Sequence, residues 1–181
     1  MDYESAEKLV KEYIKSKSLL NHVKAVEVSM RFYANKFEED ETLWAITGLL
    51  HDLDYEKYPD KHPKVAETLL AELDTDPSII QAIRLHATKD PENFPTKLDK
   101  ALWACDEITG FITAVTLVRP SRKLDDLKVD SVKKKMKDKA FARPVSRDDL
   151  KKGAEVLGIS LEEHIENVIE AMNRIAPELG L

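Results

Sequence analysis

Glu41-Thr42-Leu43-Trp44-Ala45-Ile46-Thr47-Gly48-Leu49-Leu50-His51-Asp52-Leu53-Asp54-Tyr55 is the stretch from which the rest of the chain is read. Leu43, Trp44, Ile46, Leu49 and Leu50 recur with helical rather than alternating spacing, which predicts a strongly apolar helix over Glu41–Leu50. That helix ends in the adjacent pair His51-Asp52. A neutral imidazole and a carboxylate side by side at a helix end can both turn to one metal ion, or the carboxylate can bridge two. The pair alone equally suits a histidine capping a helix C-terminus and an aspartate opening a turn. The other histidines decide between the two readings.

Upstream, a first helix is predicted over about Tyr3 to Lys17, with Leu9, Val10, Tyr13 and Ile14 inward. Asn21 looks like an N-cap, so that His22 opens a second helix in which Val26, Ser29 and Tyr33 follow at near-helical spacing. His22 thus points the way the core face points. Downstream, Asp54 to Lys61 reads as a charged polar loop, closed by His62-Pro63 at the start of another helix, where proline suits the first turn. Asp76-Pro77 repeats that signal. Ile79, Ile83 and His86 then share one face, which puts His86 at the inner C-terminal end of its helix.

Thr96 with Asp99 has the capping-box pattern and opens the longest helix, about Lys97 to Val118. Asp106 sits in its middle among Ala101, Leu102, Trp103, Ala104, Ile108, Phe111 and Ile112. A carboxylate there is costly to bury unless it is paired or bound to a cation. Beyond Arg119 comes a lysine-dense segment, Ser131 to Lys139, with Val132 and Met136 as its apolar anchors. It reads as a solvated helix face, or more sharply as a rim that attracts phosphate. Ser146 with Asp149 and Ser160 with Glu163 are further capping-box patterns. They open a short helix stopping at Gly158 and a final helix with Leu161, Ile165, Val168, Ile169, Met172 and Ile175 inward, His164 being placed on the surface.

Only five glycines occur among 181 residues, and the periodicity is helical throughout, so the predicted class is all-α: a compact multi-helix bundle. The length suits one domain over 1–181, with a metal-site core at about 20–117 and a helical extension at about 119–181. A net charge of −6 argues against broad nucleic-acid or membrane binding through bulk electrostatics. The single cysteine, Cys105, excludes an intramolecular disulfide framework and points to a reducing cytoplasm. Neither a signal peptide nor a membrane-spanning apolar run is expected.

His22, His51, Asp52, His62, His86 and Asp106 thus fall at helix ends or on inward helix faces of separate helices, the way bundle proteins build interior metal sites. Imidazole and carboxylate together suit iron, manganese, zinc or cobalt, and the lack of nearby thiolates disfavours a structural zinc. Six ligands exceed what one ion with open positions takes from protein. Two divalent ions bridged by Asp52 are therefore expected.

In this order the residues resemble the HD-domain superfamily of metal-dependent phosphohydrolases, defined by a His, a His-Asp pair and a distant Asp: here His22, His51-Asp52 and Asp106. The intervening His62-Pro63 and His86-Ala87-Thr88 are similar to the subgroup with a second metal, which includes nucleotide-tetraphosphate hydrolases and cyclic-dinucleotide phosphodiesterases. The likeness covers roughly residues 20 to 117. One departure is Leu53-Asp54-Tyr55-Glu56-Lys57, where the superfamily commonly continues with glycine and lysine.

The resemblance implies that His22, His51, Asp52 and Asp106 hold one metal and Asp52, His62 and His86 the other, with Asp52 and Asp106 in catalytic positions. Water activated by the metals would then attack phosphorus in line. The expected partner is a small phosphorylated substrate, a nucleotide among the candidates. Lys57, Arg119 and Arg122 are the candidate phosphate-holding residues, and Asp54 or Glu56 a candidate for orienting water. The same ligand set also resembles HD-fold di-iron oxygenases, and a catalytically inactive nucleotide-binding HD module is the third reading.

Overall fold

The computed structural model describes residues 1–88 and 90–181. It is all-α, with no strand among the described residues. The chain runs α1 (Tyr3–Tyr13), α2 (Lys17–Phe37), α3 (Glu41–Leu50), α4 (Lys64–Glu72), α5 (Pro77–His86), α6 (Lys97–Leu117), α7 (Val129–Met136), α8 (Arg147–Leu157), α9 (Leu161–Asn173) and α10 (Ala176–Leu179), with 3₁₀ turns at Pro59–Lys61 and Pro91–Asn93. No helix among the described residues is long and apolar enough to cross a membrane.

The first two helices divide earlier than their apolar pattern suggests. α1 ends at Tyr13 rather than Lys17, because the Glu56 carboxylate takes the backbone N–H groups of Lys15 (3.0 Å) and Ser16 (2.9 Å). Ser16, not Asn21, caps α2. Asn21 lies inside that helix and donates its side-chain amide to the Leu179 carbonyl at 2.8 Å, tying α2 to the C-terminal helix. His22 is consequently well inside a continuous helix and not at its start.

α2 makes its broadest contact with α3, at a close approach that Gly48 permits. A Cβ there would stand 2.9 Å from the Glu27 Cα, so the small residue brings the C-terminal half of α3 against the Glu27–Met30 turn of α2. Leu49, Leu50 and Leu53 pack with Val10, Ile14, Leu70 and Ile83 into one apolar cluster under α1, α3, α4 and α5. A second cluster centres on α6, whose Leu102, Cys105, Ile108, Phe111 and Ile112 are buried against α2 and the C-terminal helices. α6 begins with the full reciprocal capping box of Thr96 and Asp99. Ser146 and Ser160 cap α8 and α9 by accepting the N–H groups of Asp149 and Glu163. Val132 and Met136 anchor α7 as the spacing predicts.

His164 corrects the sequence expectation: it is fully buried, not on the surface. Its Nε2–H donates to the Ala104 carbonyl at 3.0 Å, and its Nδ1 accepts from the Tyr33 hydroxyl at 2.6 Å. His164 precedes Val168 by one turn and so lies on the inward stripe of α9. Burial pushes its pKa down to about 4 and keeps the ring neutral.

Candidate metal centre

The six residues singled out by spacing meet at one place. His51 follows the last turn of α3, where its Nδ1–H donates to the Gly48 carbonyl at 2.8 Å. His86 closes α5 in the same manner against the Ile83 carbonyl. These bonds fix the protonated nitrogen on the helix side and turn each Nε2 lone pair inward. His62 is fixed by a carboxylate instead: its Nδ1–H donates to Asp54 at 2.6 Å. Asp54 is buried, and its other oxygen accepts the Ala66 N–H at 2.9 Å.

Asp52 stands between two groups of imidazoles. Its Oδ2 faces His22 Nε2 (3.7 Å) and His51 Nε2 (3.5 Å), and its Oδ1 faces His62 Nε2 (3.4 Å) and His86 Nε2 (3.8 Å). Asp106 completes the first group, with its Oδ1 at 3.0 Å from His22 Nε2 and 3.6 Å from His51 Nε2. Ligand atoms of His22, His51 and Asp52 lie within 4.8 Å of one another, as do those of Asp52, His62 and His86. The four rings form a chain of edge contacts, with centroids 5.0 to 5.3 Å apart from His22 through His51 and His86 to His62.

This donor set fits divalent ions on two grounds. Nitrogen or oxygen donors about 2.1 Å from one ion, at angles near 90–110°, stand about 3.0–3.4 Å apart. The His22–His51 and His62–His86 Nε2 separations are 3.3 Å and 3.1 Å. With the Nδ1–H groups of His51, His62 and His86 engaged by other partners, these Nε2 atoms stand at the spacing that two donors to one ion take. The electrostatics agree. Burial alone would lower the His51 pKa, yet Asp52 and Asp106 hold it raised to about 9. Asp106 is held well below the usual carboxylate range, because His22 and His51 outweigh its desolvation. The centre thus draws positive charge to itself.

The cluster opens into a cleft of about 370 Å³ whose walls include Tyr55, Thr88, Trp103, Glu107 and Asp149. The Tyr55 ring is 49% exposed and meets the edge of His62 at 5.3 Å. Trp103 is held in place by its indole N–H, which donates to the Thr88 carbonyl at 3.0 Å. Burial, then the neighbouring Asp106 and Asp149, pushes the Glu107 carboxyl up to about 7. Sequence reading missed these wall residues, and it also missed Asp54 as the partner of His62. An acid eight residues before its histidine, across an irregular turn, carries no periodic signal.

The three cations expected to hold phosphate lie elsewhere. Lys57 sets its ammonium over the Tyr13 ring at 4.0 Å, since the turn after the His-Asp pair leans on α1. Arg119 lies thirteen residues beyond Asp106, about 20 Å along the helix direction. There its guanidinium is taken by Asp126 at 2.7 Å and by the carbonyls of Lys123 and Asp126. Arg122 is exposed in the same turn, in the left-handed region at φ 53°. Neither Asp54 nor Glu56 is placed to orient water: the first holds His62, and the second holds the α1–α2 turn.

Comparison with known proteins gives one match. No curated protein and no solved structure is found to be similar. The family model of the HD domain matches residues 19–109, half of the chain, a span that contains all six clustered side chains. The chain belongs to the HD-domain superfamily of metal-dependent phosphohydrolases.

Proposed function

We propose that this protein hydrolyses a phosphoester or phosphoanhydride bond of a small phosphorylated substrate, a nucleotide being the class to test first. The observation that carries this reading is Asp52, whose two carboxylate oxygens face two separate imidazole groups. Such a bridging carboxylate suits a pair of ions, one held by His22, His51, Asp52 and Asp106 and the other by Asp52, His62 and His86. Divalent ions bound there would supply Lewis acidity towards the phosphoryl oxygens and acidify water at the site.

The chain's own groups do the rest. Gly48, Ile83 and Asp54 engage the Nδ1–H groups of His51, His86 and His62 on the outer side, which leaves each Nε2 as the nitrogen that faces the centre and can ligate. Tyr55 and Trp103 give the cleft apolar walls against which a base or sugar can lie. Glu107 and Asp149 offer carboxylate oxygens that accept from substrate hydroxyl groups.

Metal analysis of the purified protein, followed by phosphate-release assays over a nucleotide and phosphoester panel with manganese, cobalt, iron and zinc, tests the reading. Release without oxygen is expected with at least one metal, and its loss in His51→Ala and Asp52→Ala with helical circular dichroism unchanged. Retained metal in both variants, or turnover only with oxygen and no phosphate released, would overturn it.

A further inference from the structure

We propose that the cleft bounded by α7, the turn 137–145 and the first half of α8 binds a small anion carrying a di- or triphosphate, at a site separate from the imidazole cluster. This cleft encloses about 580 Å³, a volume suited to a nucleotide-sized molecule. Six basic side chains line it, Lys133, Lys137, Lys139, Arg143, Arg147 and Lys151, with Asp148 as the one acid. Met136, Val145 and Leu161 provide an apolar part of the lining. In a chain of net charge −6, such a gathering of like charge runs against the whole.

The six cations divide into two kinds. Lys133 is engaged by Glu162, and Lys151 by Asp148 at 3.4 Å. Arg147 is spent on the fold: its guanidinium donates to the carbonyls of Ala142 (2.8 Å), Val145 (2.7 Å), Asp138 (3.2 Å) and Phe141, and lies over the Phe111 ring. Those bonds tie down the turn that carries Lys139 and Arg143, and they hold Ala142 in the left-handed region at φ 41°. Lys137, Lys139 and Arg143 are exposed and have no carboxylate partner among the described residues. Three cations without a carboxylate partner thus line one cleft and are free to pair with an anion that enters it. Three positive charges beside an apolar lining match a short phosphate chain on an organic body. A polynucleotide would call for cations along an extended face rather than inside a cleft.

Calorimetric titration with ATP and with inorganic tripolyphosphate, both in the presence of chelator, tests this independently of any metal chemistry. Wild type and Asp52→Ala are expected to bind both probes alike, with ATP the tighter because of the apolar lining. The triple variant Lys137→Gln, Lys139→Gln, Arg143→Gln is expected to lose about tenfold or more in affinity, while keeping its circular dichroism and the phosphate release of the metal-loaded protein. The proposal is overturned if wild type binds neither probe, if the triple variant binds as well as wild type, or if a single-stranded oligonucleotide of equal charge binds more tightly than ATP.

Discussion

Replacing Asp54 by Asn removes one charge and changes almost nothing in size, yet it puts two bonds in conflict. The carboxylate has two acceptors, and both are used: one takes His62 Nδ1–H at 2.6 Å and the other the buried Ala66 N–H at 2.9 Å. An amide has only one acceptor. If its oxygen faces His62, an NH₂ group meets the Ala66 N–H, and the first turn of α4 loses a buried bond at a cost of about 1–3 kcal/mol. If its oxygen faces Ala66, the NH₂ points at Nδ1. The ring must then carry its proton on Nε2, 3.1 Å from His86 Nε2 and 3.4 Å from Asp52. That nitrogen can no longer ligate, and loss of such an outer partner weakens metal binding by about 10–100-fold. Chemical denaturation of the metal-free variant and calorimetric titration with manganese or zinc separate the two outcomes. One of the two losses is expected, with binding at the His22–His51 group unchanged. An Asp54→Asn variant as stable as wild type and with both metal affinities intact would refute the assignment of Asp54 as the residue that orients His62.

Three further outcomes are expected. His164 is neutral in the fold down to about pH 4 but titrates near 6.5 when unfolded, so the unfolded chain binds more protons between those values. Its contribution is fully present above about pH 6.5 and is lost as the pH falls to about 4, by roughly 3 kcal/mol; denaturant melts at stepped pH should show a smaller loss in His164→Gln, and an equal loss in both proteins would count against the neutral buried ring. Gly48→Ala places a methyl 2.9 Å from the Glu27 Cα and 3.0 Å from its N, backbone atoms that cannot step aside, and should destabilise by about 1–3 kcal/mol in the same melts. Gly110 lies within α6 with nothing inside 4 Å of an added Cβ, so Gly110→Ala should stabilise by about 0.5–1 kcal/mol, and a loss would show that the helix needs the glycine.

Much of this molecule is written locally. Periodic apolar residues and short polar signals set most helices: Thr96 and Asp99 close a reciprocal cap, Ser146 and Ser160 open their helices, and Gly158 ends one at φ 73°. Each of those interactions spans three or four residues, so spacing alone reveals it. The six clustered side chains are legible in the same way, from helix ends and inward faces. Their order in the chain said that they belonged together, but their distances had to come from the packed helices.

What only the tertiary structure decided concerns partners far apart in the chain. Glu56 ends α1 from forty residues away, Tyr33 and Ala104 turn His164 into a buried neutral ring, and Tyr13 draws Lys57 away from the cleft. Arg119 and Arg122 look like phosphate ligands by residue type, but the length of α6 carries them out of reach. The division of Asp52 between two imidazole groups follows from α2, α3, α5 and α6 converging on one point. A polar side chain's role depends on which groups lie within about 3 Å of it, and across helices that is a property of packing and not of spacing.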